Sequence, residues 1–224
     1  MHLKEIIISD YKIKKDDVYI SEFMDILKKL TSYHGVSQDS DTKYERNIMM
    51  NLLFRYGCSI AQKSIHQDHS FIIGGDMVKF LFVSNELDQD IIESYNNIHK
   101  RGKRKLVFKD GNAELSVSPD IVIHTSNESA SNEPKYQHLI LEAKTTKSLS
   151  MTAFFWDFFK LNIYKKKLGF RHLVYYIFGT SNKKIATYLD EYYKRGLYKE
   201  YAQDILFVIQ PTLKDNVSIY KVDL

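Results

Sequence analysis

Three residues in the middle of the chain, Asp120, Glu142 and Lys144, have the types and the spacing to act on a phosphate ester. Asp120 lies in the run SPDIVIH (residues 118–124), and Glu142 and Lys144 lie in YQHLILEAKTTK (residues 136–147). Apolar and polar residues alternate in both runs, which predicts two strands. Asp120, Val122 and His124 fall on one face of the first, with Ile121 and Ile123 on the other. Ile140, Glu142 and Lys144 share a face of the second. A polar connection at residues 125–135 makes a hairpin of the pair and brings Asp120 towards Glu142. Two carboxylates on adjacent strands repel each other unless a proton or a cation intervenes, and a hard divalent ion, Mg²⁺ or Mn²⁺, takes oxygen ligands of this kind. Beside such an ion, Lys144 can orient or deprotonate a water, or neutralise charge developing on a phosphate. An ordinary hairpin carrying a surface salt bridge uses the same residues.

The elements that must position these groups follow from periodicity. Residues 43–57, KYERNIMMNLLFRYG, form an amphipathic helix with Tyr44, Ile48, Met49, Leu52, Leu53 and Tyr56 on one side and Gly57 as its C-cap. Glu45 faces the same way as that apolar stripe, which is costly unless it is paired or bound to metal. Residues 71–73 and 77–83 read as strands joined by the turn Gly74-Gly75-Asp76, and hence as a hairpin. A helix at residues 86–99 carries the stripe Leu87, Ile91, Ile92, Tyr95 and Ile98. Just beyond it stand Lys100, Arg101, Lys103, Arg104 and Lys105, five cations in six residues. They suit contact with phosphates, or equally a solvated helix end. A second hairpin at residues 106–117, turning at Asp110-Gly111, leads into Pro119-Asp120.

After the Glu-x-Lys strand, residues 148–168 form a long helix, apolar nearly all round, whose polar exceptions Asp157, Lys160 and Tyr164 make one stripe. By itself that stripe reads as an exposed Asp157–Lys160 salt bridge. Residues 171–178 form a buried strand, residues 183–197 a helix and residues 205–209 a strand, with an edge strand expected at 217–222. Near the start, residues 3–8 form a short strand, and Ser21 is the expected N-cap of a helix bearing Phe23, Ile26, Leu27 and Leu30.

The pattern Pro119-Asp120, spacer, Glu142-Ala143-Lys144, set on strands in this order, resembles the signature of the PD-(D/E)xK nuclease superfamily. The resemblance spans residues 43–178. It implies a restriction-endonuclease-like α/β fold, an αβββαβ core with a mixed central sheet flanked by helices. It further implies an Mg²⁺-dependent endonuclease that hydrolyses phosphodiester bonds in DNA. Asp120, Glu142 and the carbonyl of Ala143 are then the metal ligands, Glu45 matches the acidic residue that members place on the first core helix, and Lys144 positions or activates the water. Lys160 and Tyr164 match the position from which the following helix contributes to the site, and Lys103, Arg104 and Lys105 become substrate contacts. A stand-alone size points to a restriction or host-defence enzyme acting as a homodimer on double-stranded DNA. Holliday-junction resolvases, transposon-end nucleases and cap-snatching RNA endonucleases are other branches, and a nucleic-acid-binding protein that kept the fold without catalysis is a different class of answer.

Composition sets the remaining limits. At 224 residues, with 44% hydrophobic and 13% aromatic residues, the chain is expected to fold as a single domain over 1–224. A net charge of +4 means that nucleic-acid affinity must come from local clusters. The single cysteine, Cys58, excludes an intrachain disulfide, a thiolate zinc site and an iron–sulfur cluster. No run approaches the ~20 apolar residues of a membrane span. The sequence therefore predicts a soluble cytoplasmic protein with no membrane partner.

Overall fold

The fold is seen in a computed structural model, which describes residues 2–6, 18–30, 55–56, 58–59, 69–73, 80–83, 87–99, 108–109, 112–125, 134–145, 149–212 and 215–223. Strands β1 (His2–Ile6), β2 (His69–Ile73), β6 (Ile121–Thr125), β7 (Gln137–Thr145), β8 (His172–Phe178), β9 (Ile205–Gln210) and β10 (Ser218–Asp223) form a seven-stranded mixed sheet in the order β1-β10-β9-β8-β7-β6-β2. β3 (Phe80–Val83), β4 (Phe108–Lys109) and β5 (Asn112–Val117) make a separate antiparallel sheet in the order β3-β5-β4. The helices are α1 (Val18–Leu30), α2 (Gln89–Ile98), α3 (Met151–Leu168) and α4 (Asn182–Lys194). The molecule is thus mixed α/β, with helices on both faces of the large sheet.

The central strands explain themselves by composition. β7, β8 and β9 are parallel neighbours and are covered on both sides, so they read as nearly unbroken apolar runs such as HLVYYIF and ILFVIQ. α3 crosses between β7 and β8, and α4 between β8 and β9. Alternation sorts the side chains. Val122, Ile140, Leu173, Tyr175, Ile177 and Phe207 pack with α2, α3 and α4, whereas Ile121, Ile123, Leu139, Leu141, Ala143, Val174 and Tyr176 pack with α1. On the α3 side the rings of Phe154, Phe158 and Phe207 stack at 5.8–6.3 Å between centroids. Truncating one of these to alanine would cost about 3–5 kcal/mol.

α3 has defined ends. Ser150 caps it by accepting the Ala153 N–H at 3.2 Å. Gly169 ends it in the left-handed conformation at φ 71°, and a Cβ there would stand 2.6 Å from Cβ of Pro134, in the turn that opens β7. The start of β7 and the end of α3 are therefore fixed against each other.

Three expectations are corrected. Residues 71–73 and 80–83 do not pair with each other. β2 joins β6 in the large sheet, with Phe71 opposite Ile123, and β3 joins β5 in the small one, with Phe82 opposite Leu115. A local turn signal was outweighed by partners distant in sequence. Ser21 is not an N-cap, because α1 begins at Val18 and Ser21 lies within it. The strand at 217–222 is not an edge, since β10 lies between β9 and β1 and the edge is β1. The hairpin at 106–117 is present as β4 and β5, with Phe108 opposite Ala113. Arg55 and Tyr56 are helical and Tyr56 packs edge-on against Phe23 at 5.7 Å, but most of the helix expected at 43–57, including Glu45, lies outside the described residues. The basic segment with Lys103, Arg104 and Lys105 lies outside them as well.

Candidate active site

Asp120 sits where the ladder between β6 and β7 ends. Ile121 is opposite Leu141, and the Asp120 N–H still donates to the Leu141 carbonyl at 3.1 Å. The next β7 donor on that side, the Ala143 N–H, is taken by Asp120 Oδ2 at 2.7 Å. A side chain thus replaces the main-chain acceptor, which fixes the carboxylate beside the Glu142-Ala143-Lys144 segment. Pro119 precedes it and has no N–H to continue the ladder.

Glu142 points from β7 towards α3 and is 1% exposed. One oxygen, Oε2, accepts from Lys160 Nζ at 2.6 Å, and the other, Oε1, accepts from the Tyr164 hydroxyl at 3.2 Å. Lys160 also reaches Asp157 Oδ1 at 3.0 Å and the Ser118 carbonyl at 3.4 Å. Asp157, likewise 1% exposed, uses Oδ2 to accept from Lys144 Nζ at 3.2 Å and from the Tyr175 hydroxyl at 3.2 Å. Lys144 Nζ donates to the Ala143 carbonyl at 3.1 Å. Phe80 of the small sheet packs edge-on against the Tyr164 ring at 5.8 Å and so holds that hydroxyl in place.

The stripe on α3 therefore faces the sheet. The Asp157–Lys160 pair exists, but it is buried rather than exposed, because the stretch of α3 that carries it, residues 157–164, is buried on every side. Asp120 is half-buried and the Lys144 side chain 26% exposed, whereas Glu142, Asp157, Lys160 and Tyr164 lie behind them. A ligand would approach from the side of Asp120 and Lys144.

Ionised throughout, the three carboxylates of Asp120, Glu142 and Asp157 and the two ammoniums of Lys144 and Lys160 leave one uncompensated negative charge. Burial pushes the Glu142 carboxyl well above the usual carboxylate range; Lys160 opposes this, and Asp157 and Asp120 add to it. For Lys160, burial pulls downward, but Glu142 and Asp157 outweigh it and hold the ammonium above the ordinary lysine range. Lys144 follows the same logic, with burial overcome by Asp157, Asp120 and Glu142 together. Both lysines are cations at neutral pH. Lys144 is thus suited to placing a water or a phosphate oxygen by charge, and unsuited to removing a proton. Burial, and then Glu142, keeps the Tyr164 phenol protonated, and burial with Asp157 does the same for Tyr175.

No family model, curated protein or solved structure matches this chain.

The site's chemistry therefore rests on its own donors. Asp120, Glu142 and the Ala143 carbonyl offer hard oxygens on adjacent strands, with a surplus negative charge, and that set fits a divalent cation of the Mg²⁺ class if the ammonium on Glu142 gives way. Among the described residues no group of three or more His, Cys, Asp or Glu side chains is arranged to hold a metal. Asp157 is committed to the two lysines. Two participants escaped the sequence reading. Asp157 had a signal, its three-residue spacing from Lys160 on an apolar helix, whereas Tyr175 had none beyond its place on the α3 side of β8.

Proposed function

We propose that the chain is a metal-dependent phosphodiesterase of the PD-(D/E)xK type, acting as an endonuclease on double-stranded DNA. The observation that carries this reading is the convergence of Asp120, Glu142 and Lys144: the Asp120 carboxylate is hydrogen-bonded to the main chain between the other two residues. The strand run β2-β6-β7-β8, antiparallel twice and then parallel across α3, supports a restriction-endonuclease-like core. Asp120, Glu142 and the Ala143 carbonyl would hold Mg²⁺ or Mn²⁺, with Glu45 as a further ligand. When bound, the ion stabilises the charge of an in-line displacement and acidifies a water. Lys144, a permanent cation at the exposed front of the site, orients the water or a phosphate oxygen. Asp157 holds Lys144 in that place, and Tyr164 fixes the Glu142 carboxylate.

Lys103, Arg104 and Lys105 are proposed to contact phosphates, and cutting both strands calls for a homodimer that places two sites on one duplex. Among the described residues no helix is long and apolar enough to cross a membrane. The proposal includes a cytoplasmic setting and a restriction or host-defence role. The test is incubation of the protein with plasmid, linear, branched and single-stranded nucleic acids in Mg²⁺, in Mn²⁺ and in EDTA. Cleavage in metal that disappears in EDTA and in Asp120→Asn is the expected result. No cleavage of any substrate, or full activity in Asp120→Asn, would overturn the reading.

One observation favours a second reading, a nucleic-acid-binding protein of this fold without catalysis. Both Glu142 oxygens already have protein partners in Lys160 and Tyr164. That reading predicts metal-independent DNA binding with no cleavage.

A further inference from the structure

Lys160 is placed as a bound cation would be. Its ammonium touches three oxygens from three parts of the fold: Glu142 Oε2 on β7 at 2.6 Å, Asp157 Oδ1 on α3 at 3.0 Å and the Ser118 carbonyl between β5 and β6 at 3.4 Å. Three donors thus meet three acceptors, in a position where the residue is 6% exposed. A carboxylate oxygen at Mg²⁺ bonding distance, about 2.0–2.1 Å, cannot also keep an ammonium against it without strong repulsion. An Mg²⁺ on the other oxygen, Oε1, which accepts only from the neutral Tyr164 hydroxyl, would still stand a few ångströms from that ammonium and repel it. Lys160 has somewhere else to rest: it already contacts Asp157, and the Trp156 ring lies 5.8 Å from its nitrogen, a face that attracts cations.

We infer that Lys160 is the site's own counter-cation, seated on Glu142 while no divalent ion is bound and withdrawn to Asp157 when one binds. This rests on the metal-dependent reading above and adds its regulation. Loading becomes an exchange of cations on Glu142, so Lys160 sets how much free divalent ion the site needs before it fills.

The test is Mg²⁺ binding by titration calorimetry to the parent chain and to Lys160→Met. Without the competing ammonium, Mg²⁺ should bind at least about tenfold more tightly, because a unit charge a few ångströms away at an effective dielectric near 20 outweighs one factor of ten. A second measurement needs no substitution: in ¹⁵N-lysine-labelled parent protein, the buried Lys160 ammonium resonance should shift during the Mg²⁺ titration, in step with calorimetric saturation. It decides the matter if Lys160→Met does not fold. Unchanged or weaker Mg²⁺ binding by a folded Lys160→Met, or a resonance that stays put through saturation, would overturn the inference. If the parent binds Mg²⁺ and cleaves nucleic acid while these effects are absent, only the inference falls. If the parent binds neither Mg²⁺ nor Mn²⁺, the metal-dependent reading falls with it.

Discussion

Replacing Asp157 with asparagine removes one charge and almost no volume at a point where three donors meet. Asp157 accepts from Lys160 through Oδ1, and from Lys144 and Tyr175 through Oδ2. An asparagine has a single carbonyl oxygen, so its NH₂ must face either the Lys160 ammonium or the Lys144 and Tyr175 donors. Hydrogen bonds to charged groups contribute about 1.5–3 kcal/mol each, and breaking a buried ion pair by removing one partner costs about 3–5 kcal/mol. The Lys144 contact belongs at the low end, its side chain being 26% exposed. Asp157→Asn should therefore lose about 3–5 kcal/mol, or roughly 6–20 °C in Tm for a domain of this size. Lys160→Met should lose a similar amount. The formal charge of the cluster changes from −1 to 0 in the first variant and to −2 in the second, but the double variant returns to −1. Its loss should be smaller than the sum of the two by about 0.5–3 kcal/mol. Urea unfolding of the four proteins without divalent ions measures this. If Asp157→Asn stays within about 1 kcal/mol of the parent, or if the single effects merely add, the buried network described here is wrong.

Three further predictions follow from the same geometry. Because Glu142 has a raised pKa in the folded state, its contribution to stability is greatest below the ordinary carboxylate value of 4.5 and declines as pH rises through the folded value. Glu142→Gln cannot titrate, so as pH rises above the ordinary carboxylate value its urea midpoint should fall less than that of the parent; an equal fall would place the titration elsewhere. Lys144→Ala should abolish cleavage while calorimetry still registers divalent binding, since its carboxylates remain; retained turnover would remove Lys144 from the chemistry. Gly169→Ala should cost about 2 kcal/mol or more, because it adds a Cβ at positive φ that meets Pro134 at 2.6 Å, and a thermal melt matching that of the parent would refute the close approach.

Much of this fold was legible because the central elements carry strong local signals. The alternation in residues 118–124 and 136–147 put Val122 and Ile140 on one face and Ile121 and Ile123 on the other, as the two cores show. The helix expected at residues 148–168 is α3, which begins three residues later, at Met151, and ends at Leu168 as expected. What periodicity does not encode is which strand pairs with which. Gly74-Gly75-Asp76 gave a local turn signal, but β2 is paired with β6 and β3 with β5. At the site, Asp120, Glu142 and Lys144 were visible as a spacing. The direction of the α3 stripe was not, because a helix apolar nearly all round offers no contrast by which to tell its buried side. Tyr175 was hidden for a related reason: among buried strand residues, a tyrosine that fills space looks the same in sequence as one that steadies an aspartate.

The pairing of β1 with β10 has a consequence for how the protein comes into being. Ile6 lies opposite Ile219, so β1 has no partner in this sheet until β10, which follows it by all the other strands in chain order, has been made. In a chain that loses β1, β10 becomes the edge, exposing a row of unpaired main-chain groups beside the apolar residues Ile219 and Val222. Such an edge invites other strands. Removal of β1, or a fusion that hinders it from docking, should yield protein that assembles most of its core and then self-associates along β10.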